Sequence, residues 1–542
     1  MRLVTFAVIA LLLFAASLNA EALVALDPTL PGPFVRSELT VYVGLIAIAI
    51  IVSFGILFRG GRFAVPHPFI HVSWTYLAPI FVGGSLLFVV MGISDTPQEF
   101  IQTPSSDYRL TILFMAIGIA ALALGMLVGR PRAIGLQLGA RLPHLVWPNS
   151  MALGAGIALV LVGAAIQFVN FQSGLIGYQL GSTGPFTALF YYLGLVFQLG
   201  QFLVWFAIFS KSRVGRAQLT AGMVSVLTML LVAMLAGSRG LLFSCWIIMV
   251  LACFSAHRRP SMRHLVVLAI AGVLSIGLGF TLGTLFRHLK AGLLEQPAPT
   301  RTLQQSRSAQ NPPTQSTAPP SAPTFQSAED WARFAQRPMT LQDQADTLRG
   351  AVSLAGGGQY LPMVLRAFAA RTNTLSQITV LVSRRHELIA SMPPSLHSGI
   401  LIGIATALVP RVLWPGKPVI GDVAAHARLF FDFEGNSFAV TPVGDLLLNF
   451  GPAGIVPGMI LLGMLMSLLY ATLVEAVPGS AARAAIYVVM LTQFSMEGFF
   501  STIIPSLLRS GLVAVIAIAI TSVVVALVQR RGLLPGKSAL RP

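Results

Sequence analysis

Three short segments of this chain combine cations, carboxylates and stiff backbone in a setting that is otherwise apolar. The first is Gly237-Ser238-Arg239-Gly240, between two hydrophobic runs. Its glycines permit a tight reversal, and Arg239 is the one cation of that hairpin. A guanidinium there can grip phosphate oxygens bidentately, or it can snorkel to lipid headgroups. The second segment is Val409-Pro410-Arg411-Val412-Leu413-Trp414-Pro415-Gly416-Lys417-Pro418. Its three prolines fix an extended path, and Arg411 and Lys417 project from that strip. Trp414 suits a membrane interface, so the strip could equally be a plain anchor. The third segment runs from Asn436 to Gly454. Thr441-Pro442 reads as a helix start, Asp445 falls in the expected first turn, and Asn449-Phe450-Gly451 closes the helix. Asp445 there either complements the helix dipole or acts as a general base.

One more carboxylate stands out. Glu497 lies within the apolar run 481–504, about seven residues from its outer end. A charged group at such a depth normally has a partner or a task, and an ion pair with an outer arginine is the simplest one.

Such groups have to be placed by membrane helices. Of 542 residues, 55% are hydrophobic and only 10% charged, with a mean hydropathy of +0.80. Apolar runs occur at about 3–20, 39–58, 74–92, 110–128, 150–169, 186–209, 218–236, 240–256, 264–286, 453–475, 481–504 and 508–529. The expected fold is therefore an all-α polytopic membrane protein of about 12 transmembrane helices, or 11 if residues 1–20 are a cleaved signal. Arg2, the apolar stretch and Leu18-Asn19-Ala20 fit either a signal peptide or a retained first helix.

Charge sets the orientation. One set of loops holds Arg59 and Arg62, then Arg130, Arg132 and Arg141, then Lys211, Arg213 and Arg216, then Arg258, Arg259 and Arg263. The same side holds Arg483 and the tail 530–542 with Arg530, Arg531, Lys537 and Arg541. The short loops of the other side carry only Arg36, Arg109, Arg239 and Arg509. By the positive-inside rule the first set is cytoplasmic, which accounts for most of the net charge of +17 without nucleic acid. Cys245 and Cys253 share one apolar helix and are read as ordinary packing residues.

Between helices 2–9 (39–286) and helices 10–12 (453–529), residues 287–452 form the expected extracytoplasmic loop. Residues 295–327 are rich in Pro, Gln, Ser and Thr and are expected to be disordered. From 328 to 452 amphipathic helices are expected, with Leu361, Val364, Leu365 and Phe368 at helical spacing. The run 400–409 is too short to span and is expected to be re-entrant or interfacial. The loop holds 14 Lys and Arg against 10 Asp and Glu, a net +4 that the orientation rule does not require. An anionic ligand or anionic headgroups would explain it.

Taken in order, Gly237–Gly240, the strip Pro410–Pro418 and Gly444–Gly454, with a large loop before the last three spans, resemble the Wzy-type O-antigen polymerase family, the oligosaccharide repeat-unit polymerases. The architecture covers nearly all of the chain, and the motifs cover little of it. The Pro/Gln-rich insertion and the first apolar run depart from the family pattern. The resemblance implies a GT-C-like helical bundle in a bacterial inner membrane, with the large loop periplasmic. It implies a glycosyltransferase using no cofactor and no metal, which joins repeat units carried on undecaprenyl pyrophosphate into O-antigen, capsule or exopolysaccharide. Its partners would be the lipid-linked oligosaccharide and the bilayer, with a chain-length regulator and a flippase nearby. On this reading Arg239, Arg411, Lys417, Arg287, Arg366 and Arg371 bind the pyrophosphate, and Asp445 or Glu497 is the base. Gly237, Ser238, Gly240, Asn436, Asn449 and Gly451 complete the motifs. An O-antigen ligase shares the architecture and typically uses a loop histidine, for which His386, His397 and His426 are available. A transporter or flippase is the alternative of another class, disfavoured by the short loop near Lys211 and by the lack of an internal repeat.

Overall fold

The computed structural model describes residues 2–25, 36–58, 64–77, 105–145, 147–173, 187–211, 215–236, 239–257, 260–275, 277, 374–391, 399–409, 413, 414, 416, 417 and 440–530. Every regular element among them is helical. Among the described residues six helices are long and apolar enough to cross a membrane: Ser106–Leu127, Asn149–Gln172, Leu189–Phe209, Arg216–Ala236, Pro452–Glu475 and Phe500–Val524. Thr5–Leu18, Gly44–Leu57, Leu241–Ala256, Met262–Ser275 and Ala481–Leu491 are shorter apolar helices. The run expected at 74–92 lies outside the described residues beyond Leu77, as do the second half of 264–286 and the loop 287–373 with its expected disordered stretch. Leu12, Leu227 and Val273 are 64%, 62% and 72% exposed. Apolar helix faces left open in this way meet lipid, so the protein is membrane-embedded.

The interior is built on close helix pairs. Helix Asn149–Gln172 packs against Val196–Phe209 with glycines at the crossing. A Cβ on Gly163 would lie 2.3 Å from the Phe197 backbone nitrogen, and one on Gly200 would lie 2.4 Å from that of Val160. Small residues allow this approach, which in lipid is what draws helices together. Gly163→Val or Gly200→Val is therefore expected to lower stability by roughly 1–3 kcal/mol or more, read as earlier thermal unfolding in detergent. Gly154→Ala on the same helix, with open space at its Cβ, should change it by less than about 0.5 kcal/mol.

The run 186–209 divides into Thr187–Leu193 and Val196–Phe209. At this joint two carbonyls that already accept backbone N–H groups take a second bond from the neighbouring helix: Gln167 Nε2 donates to Gly194 O at 3.2 Å and Asn170 Nδ2 to Phe190 O at 3.1 Å. Helix Arg2–Leu18 packs on Pro452–Tyr470, where the buried Ser17 hydroxyl donates to the Pro452 carbonyl at 2.6 Å. Just beyond it, Arg385 Nη2 meets Glu21 Oε1 at 2.5 Å.

Two local expectations are corrected. Residues 130–141, read as a basic loop, form helix Gly129–Arg141, whose Arg132 pairs with Glu475 at 2.7 Å. The runs 481–504 and 508–529 are divided in a different place. Helix Ala481–Leu491 ends early, residues 492–499 are non-helical, and one helix then runs from Phe500 to Arg530. Thr492, Ser495 and Gly498 disfavour helix, an effect that averaging hydropathy across the run conceals. Pro505 sits in the second turn of the long helix and removes only one backbone bond there.

Candidate functional site

The third motif forms helix Thr441–Phe450, which folds back on Pro452–Tyr470. The Thr441 hydroxyl accepts from the Gly444 N–H at 3.2 Å, closing the first turn. Thr441 is fully buried at φ 65°, a left-handed conformation that a β-branched residue rarely holds. Gly451, at φ 66°, makes the reversal into the next helix, where any side chain would be strained.

Asp445 is 3% exposed, and its role differs from the one expected. It does not lie in the first turn of its own helix. Its Oδ2 accepts the backbone N–H of Ser501 at 2.8 Å, across 56 residues of sequence, and so caps the start of helix Phe500–Arg530. Asn449 Nδ2 holds the other oxygen, Oδ1, at 2.9 Å. Burial pushes the carboxyl up to about 6, while the Ser501 and Asn449 bonds pull it down. The dipole Asp445 complements is thus that of the last helix.

Glu497 is corrected as well. It is half-buried in the 492–499 turn rather than inside a helix, with its backbone N–H on Ser495 Oγ at 3.3 Å. It stands four residues before Ser501, so the two candidate carboxylates flank the start of one helix.

The carbonyls 406–409, leading into the second motif, are gripped from two sides. Lys417 is 7% exposed, and its ammonium donates to the carbonyls of Thr406 and, at 2.9 Å, Val409. It therefore stabilises the end of helix Gly399–Thr406, the short apolar helix expected there. Arg509, in the third turn of the long helix, donates through Nε to the next carbonyl in that stretch, Ala407 O, at 2.7 Å. Its guanidinium lies 5.6 Å from the ring centre of Tyr192, whose hydroxyl is 3.1 Å from Ser506 Oγ. Sequence reading noted Arg509 only as a charge between spans and missed this anchoring role. Its one visible signal was a cation seven residues from Thr502 in an otherwise apolar helix.

The backbone of Arg239 and Gly240 opens helix Arg239–Ala256. Gly237, Ser238, Arg287, Arg366, Arg371, His397, Arg411, His426 and Asn436 lie outside the described residues. His386 accepts from Arg385 Nε at 3.2 Å, on helix Thr374–Ser391.

What emerges is a polar seam at one end of the bundle, held by Asp445–Ser501 and by Arg509 and Lys417 on the carbonyls 406–409. It is the end opposite Arg132, Arg141 and Arg483. No family model, no curated protein and no solved structure matches this chain.

Proposed function

We propose that the protein is a repeat-unit polymerase: a glycosyltransferase that moves a growing glycan from undecaprenyl pyrophosphate onto the sugar end of a new lipid-linked repeat. Its site faces away from the cytoplasm, and its bundle is of the GT-C-like kind, with about a dozen spans in a bacterial inner membrane.

One observation carries this reading. Arg509 of helix Phe500–Arg530 holds the Ala407 carbonyl, beside the carbonyls of 406 and 409 that Lys417 of the proline strip holds, and Ser501 of the same helix holds Asp445 of the segment 441–451. Two motifs that had only their order in common are thereby drawn to one end of one element.

The chemistry suits the residue types. As the anomeric carbon–oxygen bond to the carrier breaks, negative charge develops on the pyrophosphate, and fixed guanidinium groups lower that barrier. Arg239 and Arg411 are assigned this role, with Arg287, Arg366 and Arg371 as further pyrophosphate-binding candidates. Lys417 positions the strip. The acceptor hydroxyl forms the new bond and gives its proton to a carboxylate; Glu497 is assigned this role first, since both oxygens of Asp445 are already engaged by Ser501 and Asn449.

The test is a deletion strain whose lipid-linked glycans are extracted and sized by mass spectrometry. Single repeat units accumulating on undecaprenyl pyrophosphate, with polymer lost, is the expected result. Full-length polymer stranded on the carrier would assign a ligase instead. Unchanged glycans would overturn the glycan reading in favour of transport.

A further inference from the structure

At the arginine-rich end of the bundle lies a cavity of about 810 Å³, unrelated to the seam described above. That is the size of sites that take small ligands. Its walls are largely apolar, with Leu136, Phe206, Phe254 and Leu473 among them, and two opposite charges face into it, Arg132 and Glu475.

The pair is aligned side by side, Arg132 Nε on Glu475 Oε2 at 2.7 Å and Nη2 on Oε1 at 3.3 Å. It is not sealed: the side chains are 42% and 25% exposed. Glu475 reaches this position through a wide turn, Ala471–Glu475, where the Ala476 N–H bonds Ala471 O at 3.0 Å, five residues back. Such π turns are rare and recur where a helix must re-aim a side chain. Arg483, 2% exposed, holds this turn by donating to the Thr472 carbonyl and, at 3.0 Å, to Gly139 O of the helix that carries Arg132. The charged pair is therefore a supported arrangement at the mouth of an apolar chamber.

Charge and depth narrow the ligand class. Arg132 and Glu475 cancel, so a simple anion would meet the carboxylate and a simple cation the guanidinium. A ligand bearing both charges a few bonds apart satisfies both. The helices Ser105–Leu127, Val196–Phe209 and Arg239–Ala256 all end around this level, where headgroups of the adjacent leaflet lie.

We propose that this cavity binds a glycerophospholipid whose headgroup carries a phosphate and a primary ammonium, the phosphate on Arg132 and the ammonium on Glu475, with the acyl chains leaving along the apolar walls.

The full-length protein in detergent is titrated with phosphatidylethanolamine and with phosphatidylglycerol of the same acyl chains, and bound lipid is read by native mass spectrometry. Retention of the ethanolamine lipid about tenfold above the glycerol lipid is expected, the size of one hydrogen bond to a charged group. Glu475→Gln should erase that preference. Ala64→Trp, which projects a bulky ring into the cavity and changes neither charge, should weaken retention of both and keeps the test decisive if Glu475→Gln fails to fold. Equal retention of the two lipids, or retention unchanged in Ala64→Trp, overturns the proposal. So does displacement of the lipid by equimolar free phosphoethanolamine, which would assign the site to a soluble ligand.

Discussion

Arg411→Ala is expected to lower repeat-unit polymerisation about 10²–10³-fold, the usual effect of deleting one charge-stabilising donor from a water-poor site. The strip that carries Arg411 leaves helix Gly399–Thr406 directly after carbonyls gripped by Lys417 and Arg509. Its path is stiffened by prolines at 410, 415 and 418. A guanidinium carried on a proline-rich segment would need little reorganisation as charge develops on the leaving pyrophosphate. Arg239→Ala at the start of its helix should have a comparable effect. Arg411→Lys should recover only part of the loss, because an ammonium cannot make the paired donor geometry. Lys417→Met is the informative contrast. It leaves the carbonyls of 406 and 409 without their donor, so it should lower thermal stability as well as activity, whereas Arg411→Ala should leave stability nearly unchanged. The readout is the ratio of single to multiple repeats on the lipid carrier, beside an unfolding curve of each purified variant. Full activity of Arg411→Ala would remove that residue from the mechanism.

The second large effect concerns Asp445. Asp445→Ala is expected to lower stability by about 1–3 kcal/mol, since it strands the Ser501 N–H at a buried helix start. Activity should fall with it, because the 492–501 turn and Glu497 lose their support. Asp445→Asn should be tolerated, as an amide oxygen caps a helix about as well as a carboxylate and is less costly to bury. A linked pH effect separates the two. The folded protein holds the Asp445 proton more tightly than the unfolded chain, with a value of about 6 against an ordinary 3.8. The group's contribution to stability therefore declines as pH rises from about 3.8 through about 6. Asp445→Asn should flatten that decline. Loss of activity in Asp445→Asn at unchanged stability would mark Asp445 as the proton acceptor, against the capping role.

Much of the architecture was legible from residue types alone. Transfer of a segment into lipid depends on the sum of its own side chains, so runs such as 150–169, 218–236 and 453–475 announce themselves without knowledge of their neighbours. Local backbone chemistry was readable for the same reason: Thr441-Pro442 opens a helix and Gly451 closes it. The short apolar helix before the proline strip was visible too, because eight residues cannot cross a bilayer.

The partners of polar groups were not legible. Asp445 looked like a residue serving its own helix, and only the fold brings it to Ser501. Lys417 looked like a cation offered to a ligand, and the fold turns it onto backbone carbonyls. The helix at 129–141 was hidden because its arginines marked it as a basic loop, and Arg132 finds Glu475 only across 343 residues. The break after Leu491 was hidden because its apolar neighbours outweigh its turn-forming residues. The sequence by itself thus determined which segments are long and apolar enough to enter the membrane, since partition acts residue by residue. Only the tertiary structure decided which buried donor meets which acceptor, because a hydrogen bond is a short-range pairing between groups that the chain order does not bring together.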